Sequence, residues 1–274
     1  MPEPAPTRPL LRRELADGIL TVTVDRPERR NALGRAGWLK LRDVVREVAQ
    51  DGEIRGLVVT GAGNRAFVSG ADVGELVDRP PEVALEGFVQ RVLLELEDLP
   101  VPTVAALNGD AFGGGWELAL ACDFRVAAPH VRVGFPEVGL GIIPGAGGTQ
   151  RLLQQLGLGR AKELVLTGRP VSAAEALQLG LVNRVVDGPD VLGAARELLE
   201  RVLAHAPHAV RLAKAVLNAT ARGTGGWDLE RLAYALSFCS EERRKRMRAF
   251  LEGRARTGAR GADAPAGTIA DERR

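Results

Sequence analysis

The sequence is poor in cysteine and has no long hydrophobic run. Cys122 and Cys239 are its only two cysteines, without CxxC spacing, so we expect two buried, reduced thiols and a cytoplasmic location rather than a disulfide framework. No run approaches the roughly 18 apolar residues that a membrane-spanning helix needs. Residues 1–15 also lack the apolar centre of a secretory signal. These absences disfavour membrane proteins and secreted proteins.

Histidine and serine are scarce as well. His130 stands alone, and His205 and His208 share a helix face without acidic or cysteine companions at ligand spacing, so we predict no metal site. Ser69 lacks the nucleophile elbow of many serine hydrolases, because Phe67 occupies the first glycine position of that motif. Metal-dependent and serine-dependent hydrolysis are therefore disfavoured.

What is present is the composition of a globular protein. Apolar residues make up 45 % and charged residues 26 %, and the net charge of +2 does not by itself predict nucleic-acid binding. The first half alternates strand-like apolar segments with amphipathic segments at helical spacing, which predicts an α/β arrangement. The predicted strands are 20–24, 56–60 and 101–107, and the predicted helices are 38–48 and 85–96.

Beyond Gly147 the pattern is mostly helical. We predict a core with the active site at 1–195, a C-terminal helical section at 196–253 and a flexible tail at 254–274, where little can be buried. The predicted helices are 148–156, 160–166, 172–179, 190–204, 207–221 and 227–251, with a short strand at 181–186.

Two glycine clusters are similar to nucleotide-binding motifs but fail their requirements. The segment 61–66 matches a G-x-G-x-x-A fingerprint, yet a β-like stretch follows it where a dinucleotide site needs a helix. The segment 145–149 lacks the Gly-Lys-Ser/Thr ending of a phosphate-binding loop. Neither cluster predicts a nucleotide cofactor.

A third glycine cluster leads directly into an apolar helical segment. Gly113, Gly114 and Gly115 precede Glu117 there, and two explanations stay open: backbone N–H groups at a helix start can hold an oxyanion, or the glycines permit close helix packing. Glu117 and Glu137 each lie in an apolar stretch, where a carboxylate needs a partner or a task. Such a pair suits water activation combined with proton delivery.

Three segments together identify a family that this sequence resembles. They are 65–72 (RAFVSGAD), 108–118 (NGDAFGGGWEL) and 135–151 (FPEVGLGIIPGAGGTQR). In this order and at this spacing, they resemble the crotonase, or enoyl-CoA hydratase/isomerase, superfamily over the chain to about residue 256. The resemblance implies an α/β fold built as a stack of ββα units, followed by a helical C-terminal trimerisation section and assembled as a homotrimer or homohexamer.

The resemblance also implies a reaction, the addition of water to trans-2-enoyl-CoA in fatty acid β-oxidation. By position, the N–H groups of Ala71 and Gly114 form an oxyanion hole for the thioester carbonyl, Glu117 activates water for attack at C3, and Glu137 shares that water and protonates C2. No cofactor is implied, since coenzyme A is part of the substrate. The implied substrate-binding residues are Arg65, Ala66, Ala71, Asp72, Val73, Gly74, Gly114 and Gly145, with Arg254 or Arg256 as candidates for the CoA phosphates of a neighbouring subunit.

Some features of the sequence leave the substrate and the class of enzyme open. Phe135 stands where many hydratases have Gln, Gly74 replaces a frequent Lys, and Trp116 is bulkier than the usual residue. The alternative is another acyl-CoA enzyme of this fold, such as a double-bond isomerase or a hydratase of a specialised degradation pathway, although family isomerases usually lack a glutamate at the position of Glu117.

An RNA-binding hydratase is the third hypothesis, because some family members bind RNA through a basic helix. Its basic residues here would be Arg29, Arg30, Arg35, Lys40, Arg42 and Arg46. Asp43, Glu47 and Asp51 dilute this charge, and Trp38 is the one aromatic residue near it that could stack on a base.

Overall fold

A computed structural model describes residues 9–187 and 190–262, with Val73 and 253–262 described by their backbone alone. The chain forms two compact units, which divide between Thr224 and Gly225. The strands are β1 Leu11–Ala16, β2 Ile19–Val24, β3 Gly56–Gly61, β4 Ala66–Val68, β5 Thr103–Leu107, β6 Asp110–Phe112, β7 Phe124–Ala127, β8 Arg132–Gly134, β9 Val171–Ser172 and β10 Arg184–Val185.

Helices follow most strand pairs and make up the C-terminal third of the described chain. The α-helices are α1 Arg35–Gln50, α2 Pro81–Leu85, α3 Phe88–Glu97, α4 Gly114–Ala121, α5 Gly148–Leu156, α6 Leu158–Thr167, α7 Ala173–Gln178, α8 Val191–Leu203, α9 Pro207–Ala221, α10 Gly226–Ser237 and α11 Glu241–Ala262. Short 3₁₀ helices occur at Pro27–Arg29, Val73–Glu75 and Glu137–Leu140.

The strands form two sheets, and consecutive strands from β3 to β8 alternate between them. One sheet has the order β1-β2-β3-β5-β7-β10, and the other has the order β4-β6-β8-β9. Their inner neighbours pair in parallel, so β3-β4, β5-β6 and β7-β8 are successive turns of one repeating unit, each followed by helix. The predicted α/β stack of ββα units with a helical C-terminal part is therefore confirmed.

The central strands are apolar throughout because both faces of their sheet are covered. Every residue of β3 and β5 is buried, which explains why these strands read as continuous apolar runs instead of alternating patterns. Helix α1 covers the core through one apolar stripe at helical spacing, which includes Trp38, Leu41 and Val45.

Several predicted elements differ from the structure. The predicted helix 85–96 is two helices, because Gly87 adopts a left-handed conformation with φ +58°. The predicted helix 227–251 is also two, since the Ser240 hydroxyl accepts a hydrogen bond from the Arg243 N–H at 3.5 Å and a new helix begins at Glu241. The predicted strand 181–186 pairs with β7 only at β10.

The cysteine expectation is half right. Cys122 is buried, as predicted, whereas Cys239 is exposed, because it lies in the link between α10 and α11. The expectation rested on the general tendency of free cysteines to be buried, which carries no information on the position of this link.

The predicted domain limits fall at different points of the described chain. The boundary after residue 195 lies inside α8, and both α8 and α9 belong to the first compact unit. The backbone of α11 continues to Ala262, into the predicted tail 254–274, and residues 263–274 lie outside the described residues.

Candidate active site

Glu117 lies in the first turn of α4 and is buried, with 3 % of its surface exposed. Its Oε1 accepts two backbone hydrogen bonds, from the N–H of Ala146 at 2.7 Å and from the N–H of Gly148 at 2.8 Å. These donors belong to the turn that leads into α5, where Gly147 adopts a positive φ of +99°. The turn therefore fixes one oxygen of the carboxyl and leaves the other available for chemistry.

Glu137 begins the 3₁₀ helix Glu137–Leu140 and is also buried, with 8 % of its surface exposed. Its Oε1 lies close to the backbone of Gly113, since a Cβ added at that glycine would be 2.9 Å from it. Its Oε2 is buried without a hydrogen-bond partner among the described residues. A buried polar atom of this kind is costly unless a ligand or a proton satisfies it.

The two carboxyl groups have different environments. Burial, together with the negative charge of Glu117, raises the pKa of Glu137 to about 7 against the opposing effect of a hydrogen bond from its own backbone N–H. Burial also raises the pKa of Glu117, but the Gly148 and Ala146 N–H groups and the charge of Arg151 oppose that rise. Of the two acids, Glu117 is thus the better supported in its charged form, and Glu137 is the better suited to hold a proton.

Two backbone N–H groups lie beside this pair. A Cβ added at Gly114 would be 3.8 Å from the Ala71 nitrogen, and one added at Gly70 would be 3.5 Å from the Gly114 nitrogen, so the two nitrogens are neighbours. Gly114 opens α4, where an N–H has no partner within the helix. The Ala71 N–H likewise has no hydrogen-bond acceptor within the described residues. Both donors are available to an oxyanion, which the sequence left undecided.

The structure shows that the need for glycine differs among the three consecutive positions 113–115. Gly113 has φ +52° and ψ −128°, a conformation that a side chain does not tolerate. Gly115 packs α4 against β4, because a Cβ there would collide with the Val68 carbonyl. Gly114 is free of both constraints, since a Cβ there would make only ordinary contacts, at 3.5 Å to the Trp38 ring and 3.8 Å to the Ala71 nitrogen. Close packing, one of the two open explanations, therefore applies to Gly115, whereas the N–H of Gly114 remains compatible with the other.

The residues predicted to bind CoA lie on two surfaces. Arg65 is exposed, Ala66 begins β4, and both line a cavity of about 640 Å³. Its other charged or titratable lining residues are Arg30, His130, Arg132 and Asp110, which pairs with Arg132 at 2.6 Å. Neither glutamate lines this cavity, so it is separate from the carboxyl pair. Its basic lining suits an anionic group.

The other predicted CoA residues lie in the loops beside the glutamates. The Asp72 carboxylate accepts a hydrogen bond from the Gly74 N–H at 3.2 Å and pairs with Arg29 at 3.0 Å, which shapes the turn after Ala71. Gly145 is exposed next to Ala146. Val73 begins a 3₁₀ helix, and its side chain lies outside the described residues, as do those of Arg254 and Arg256.

The two unusual aromatic residues are both buried beside the site. Phe135 and Trp116 are each 1 % exposed. A Cβ at Gly148 would meet the Phe135 ring at 2.6 and 2.7 Å and the Glu117 Cγ at 3.0 Å. The Phe135 ring thus lies near the aliphatic part of the Glu117 side chain and contributes to the burial of that glutamate.

Sequence reasoning missed the groups that hold Glu117. The Ala146 and Gly148 N–H donors lie in segment 145–149, for which the sequence suggested a phosphate-binding loop that fails its motif and, at Gly145, a CoA contact. Arg151 is buried one turn further on, with its guanidinium directed back at the Ala146 carbonyl at 3.0 Å. The signal available in the sequence was an arginine that closely follows a glycine-rich segment.

The basic residues considered for RNA are largely engaged in ion pairs. Arg35 pairs with Glu86, and Arg46 pairs with Glu95. No group of His, Cys, Asp and Glu in the described part of the chain could hold a metal ion, and no described helix is long and apolar enough to cross a membrane.

The chain is similar to known enoyl-CoA hydratases in sequence and in fold. Residues 14–257 match the family model described as enoyl-CoA hydratase/isomerase. The chain is 39 % identical to a short-chain-enoyl-CoA hydratase of Clostridium acetobutylicum, over 86 % of this chain and 92 % of that protein. It is 38 % identical to a crotonyl-CoA hydratase of Syntrophomonas wolfei, over 88 % and 94 %. A crystal structure of an enoyl-CoA hydratase from Bacillus anthracis is similar with a TM-score of 0.82 and 36 % identity, over 89 % of this chain and 97 % of that one.

Proposed function

Because the chain belongs to the enoyl-CoA hydratase/isomerase family and is an enoyl-CoA hydratase, we propose that Glu117 and Glu137 together add water to the double bond of a trans-2-enoyl-CoA. The product is the 3-hydroxyacyl-CoA. The observation that carries this proposal is the pair of buried carboxyls with different electrostatic environments. Beside them lie two N–H donors that have no acceptor within the described residues.

The reaction divides between the two acids. The Ala71 and Gly114 N–H groups bind the thioester oxygen and stabilise the negative charge that develops on it, a contribution that reaches several kcal/mol in related sites (about 3 to 4). The Glu117 carboxylate takes a proton from water while the water oxygen bonds to C3. The electrons of the double bond move toward the thioester, and the Glu137 carboxyl then protonates C2. Both hydrogen and hydroxyl come from the face of the substrate on which the glutamates lie, which gives syn addition.

The charge balance of this step agrees with the environments of the acids. The step begins with Glu117 ionised and Glu137 protonated, and it ends with the reverse. A proton must therefore return from Glu117 to Glu137, directly or through the next water. The two hydrogen bonds to Glu117 and the buried, unpartnered Oε2 of Glu137 favour the starting arrangement, so the site resets spontaneously.

The remainder of the substrate is proposed to occupy the surfaces described above. Coenzyme A extends past Asp72, Val73, Gly74 and Gly145, and Arg65 and Ala66 meet its anionic end. No further cofactor takes part in this scheme.

The assembly is proposed to be a homotrimer or homohexamer in the cytoplasm. Its support is the second compact unit, where large apolar side chains remain exposed in the described chain, among them Trp227, Leu232, Tyr234 and Phe250. Exposed apolar surface of this extent is typical of a buried interface in an assembly.

Turnover of enoyl-CoAs of graded length tests the reaction. The protein should remove the conjugated enoyl absorbance of crotonyl-CoA and yield a product heavier by one water, while butyryl-CoA stays unchanged. A product of unchanged mass with a shifted double bond would instead show an isomerase and overturn the hydration proposal.

A further inference from the structure

Arg151 is a buried cation beside the active site that the proposed reaction does not use. It lies on α5, and its side chain is 6 % exposed. Its guanidinium donates to the Ala146 carbonyl at 3.0 Å, to the Leu93 carbonyl at 3.4 Å and to Glu97 Oε2 at 2.6 and 3.2 Å. A buried arginine with this many partners is held in one position.

One of these partners leads directly to Glu117. Ala146 accepts from Arg151 through its carbonyl and donates to Glu117 through its N–H, so a single residue separates the two side chains. The adjacent Gly147 must be glycine for the same contact, since it has φ +99° and a Cβ there would overlap the Arg151 guanidinium. The turn that holds Glu117 is thus folded over Arg151.

The charge of Arg151 reaches Glu117 only in part, because Glu97 of α3 shares it. Glu97 is partly buried, pairs with Arg151, and also pairs with Arg222 at 3.2 Å. The titratable groups that face Glu117 are Arg151 from α5 and Glu137 from the 3₁₀ helix, with Glu97 behind Arg151. Arg151 favours the ionised form of Glu117, and Glu97 weakens that effect.

We propose that Arg151 is a positioning residue that holds the 146–148 turn against Glu117, and that Glu97 sets how much of its positive charge acts on that carboxylate. This inference rests on the proposed function, in which Glu117 must be ionised before water attacks. Arg151 does not touch the reacting atoms in this scheme, so its effect should fall on kcat and on pH dependence, with little effect on KM.

Two substitutions should move the pH profile in opposite directions. Arg151→Met removes the cation, so the acid limb of kcat/KM for crotonyl-CoA hydration should move to higher pH and kcat should fall about tenfold or more, as misplaced catalytic groups cause. Glu97→Gln keeps a hydrogen-bond acceptor but removes the opposing charge, so the acid limb should move to lower pH. A purely structural role would lower activity in both variants without opposite shifts.

Arg46→Met is the matched control. Arg46 also bridges to α3, through Glu95, but it is exposed and makes no contact with the turn at 146–148. Its pH profile should equal that of the parent protein. Arg151→Lys keeps the charge without the several donors of a guanidinium, so it should keep the parent acid limb while kcat falls.

The outcomes separate this inference from the proposed function. If crotonyl-CoA is not hydrated, or Glu117→Gln retains the parent rate, the proposed function fails. If hydration depends on Glu117 but the acid limbs of Arg151→Met and Glu97→Gln do not move in opposite directions, only the role of Arg151 and Glu97 is refuted. Should Arg151→Met not fold, Glu97→Gln and Arg151→Lys decide the matter in the same assay.

Discussion

Replacing Glu137 by glutamine should remove a loss of stability that the parent protein shows toward alkaline pH, and the reason lies in the elevated pKa of this residue. Burial raises the pKa of Glu137 from 4.5 to about 7. Between these pH values the folded protein keeps the proton and the unfolded chain has released it. The stability that this group contributes is therefore present at pH 4.5 and below, and it is lost as the pH rises through about 7.

The size of the effect follows from that shift. A rise from 4.5 to about 7 corresponds to about 3 kcal/mol, and the residual solvent access of Glu137 reduces this to about 2 kcal/mol. Glutamine does not titrate, so Glu137→Gln lacks this loss. The free energy of unfolding of the variant, relative to the parent, should rise by about 2 kcal/mol between pH 5 and pH 8, or roughly 5 °C in Tm.

Urea unfolding at pH 5 and pH 8 measures this difference for the parent, for Glu137→Gln and for Glu200→Gln, an exposed glutamate on α8. Glu117 is present in all three proteins, so its contribution largely cancels. The Glu200→Gln control keeps Glu137, so its stability relative to the parent should be the same at the two pH values. A relative stability of Glu137→Gln that stays constant, or falls, toward pH 8 would refute the claim that Glu137 is protonated in the folded protein.

Further predictions concern packing, burial and reactivity. Gly148→Ala should lower kcat about 100-fold, because its Cβ would displace the Phe135 ring and Glu117. Gly159→Ala is the control, since that residue has open space around it and should keep the parent rate. Equal rates for the two variants would contradict the contact. Arg125→Met should lower the free energy of unfolding in urea by about 3 kcal/mol or more, since this buried arginine donates to the Leu181, Ala119 and Cys122 carbonyls. A loss below about 1 kcal/mol would be inconsistent with that network. A thiol reagent should modify Cys239 rapidly and Cys122 only on unfolding, because Cys122 is buried and its pKa is raised to about 12. Rapid modification of both cysteines in the folded protein would contradict this.

The parts of the fold that the sequence predicted are those in which an apolar pattern extends over five or more residues. Helix α1 and the buried strands β3 and β5 carry enough residues for their pattern to be recognised. Strands β4, β6 and β8 have three residues each, which is too few for a periodic signal. The second sheet therefore had to come from the family resemblance.

The candidate site divides in a similar way. Glu117 and Glu137 could be singled out because a carboxylate in an apolar stretch is unusual at any position. The donors to Glu117 could not, since a backbone N–H has no residue type and its direction depends on the conformation of Gly147. The contact between Arg151 and Glu97 joins residues 54 positions apart and leaves no local pattern.

The central claim is that two glutamates share one hydration reaction, and kcat for crotonyl-CoA in single glutamine variants tests it most directly. Glu117→Gln and Glu137→Gln should each lower kcat by about 100-fold to 10,000-fold, the range expected for the loss of a general acid or base, with Glu200→Gln at the parent rate. If either Glu117→Gln or Glu137→Gln hydrates crotonyl-CoA at the parent rate, the two-glutamate account is contradicted.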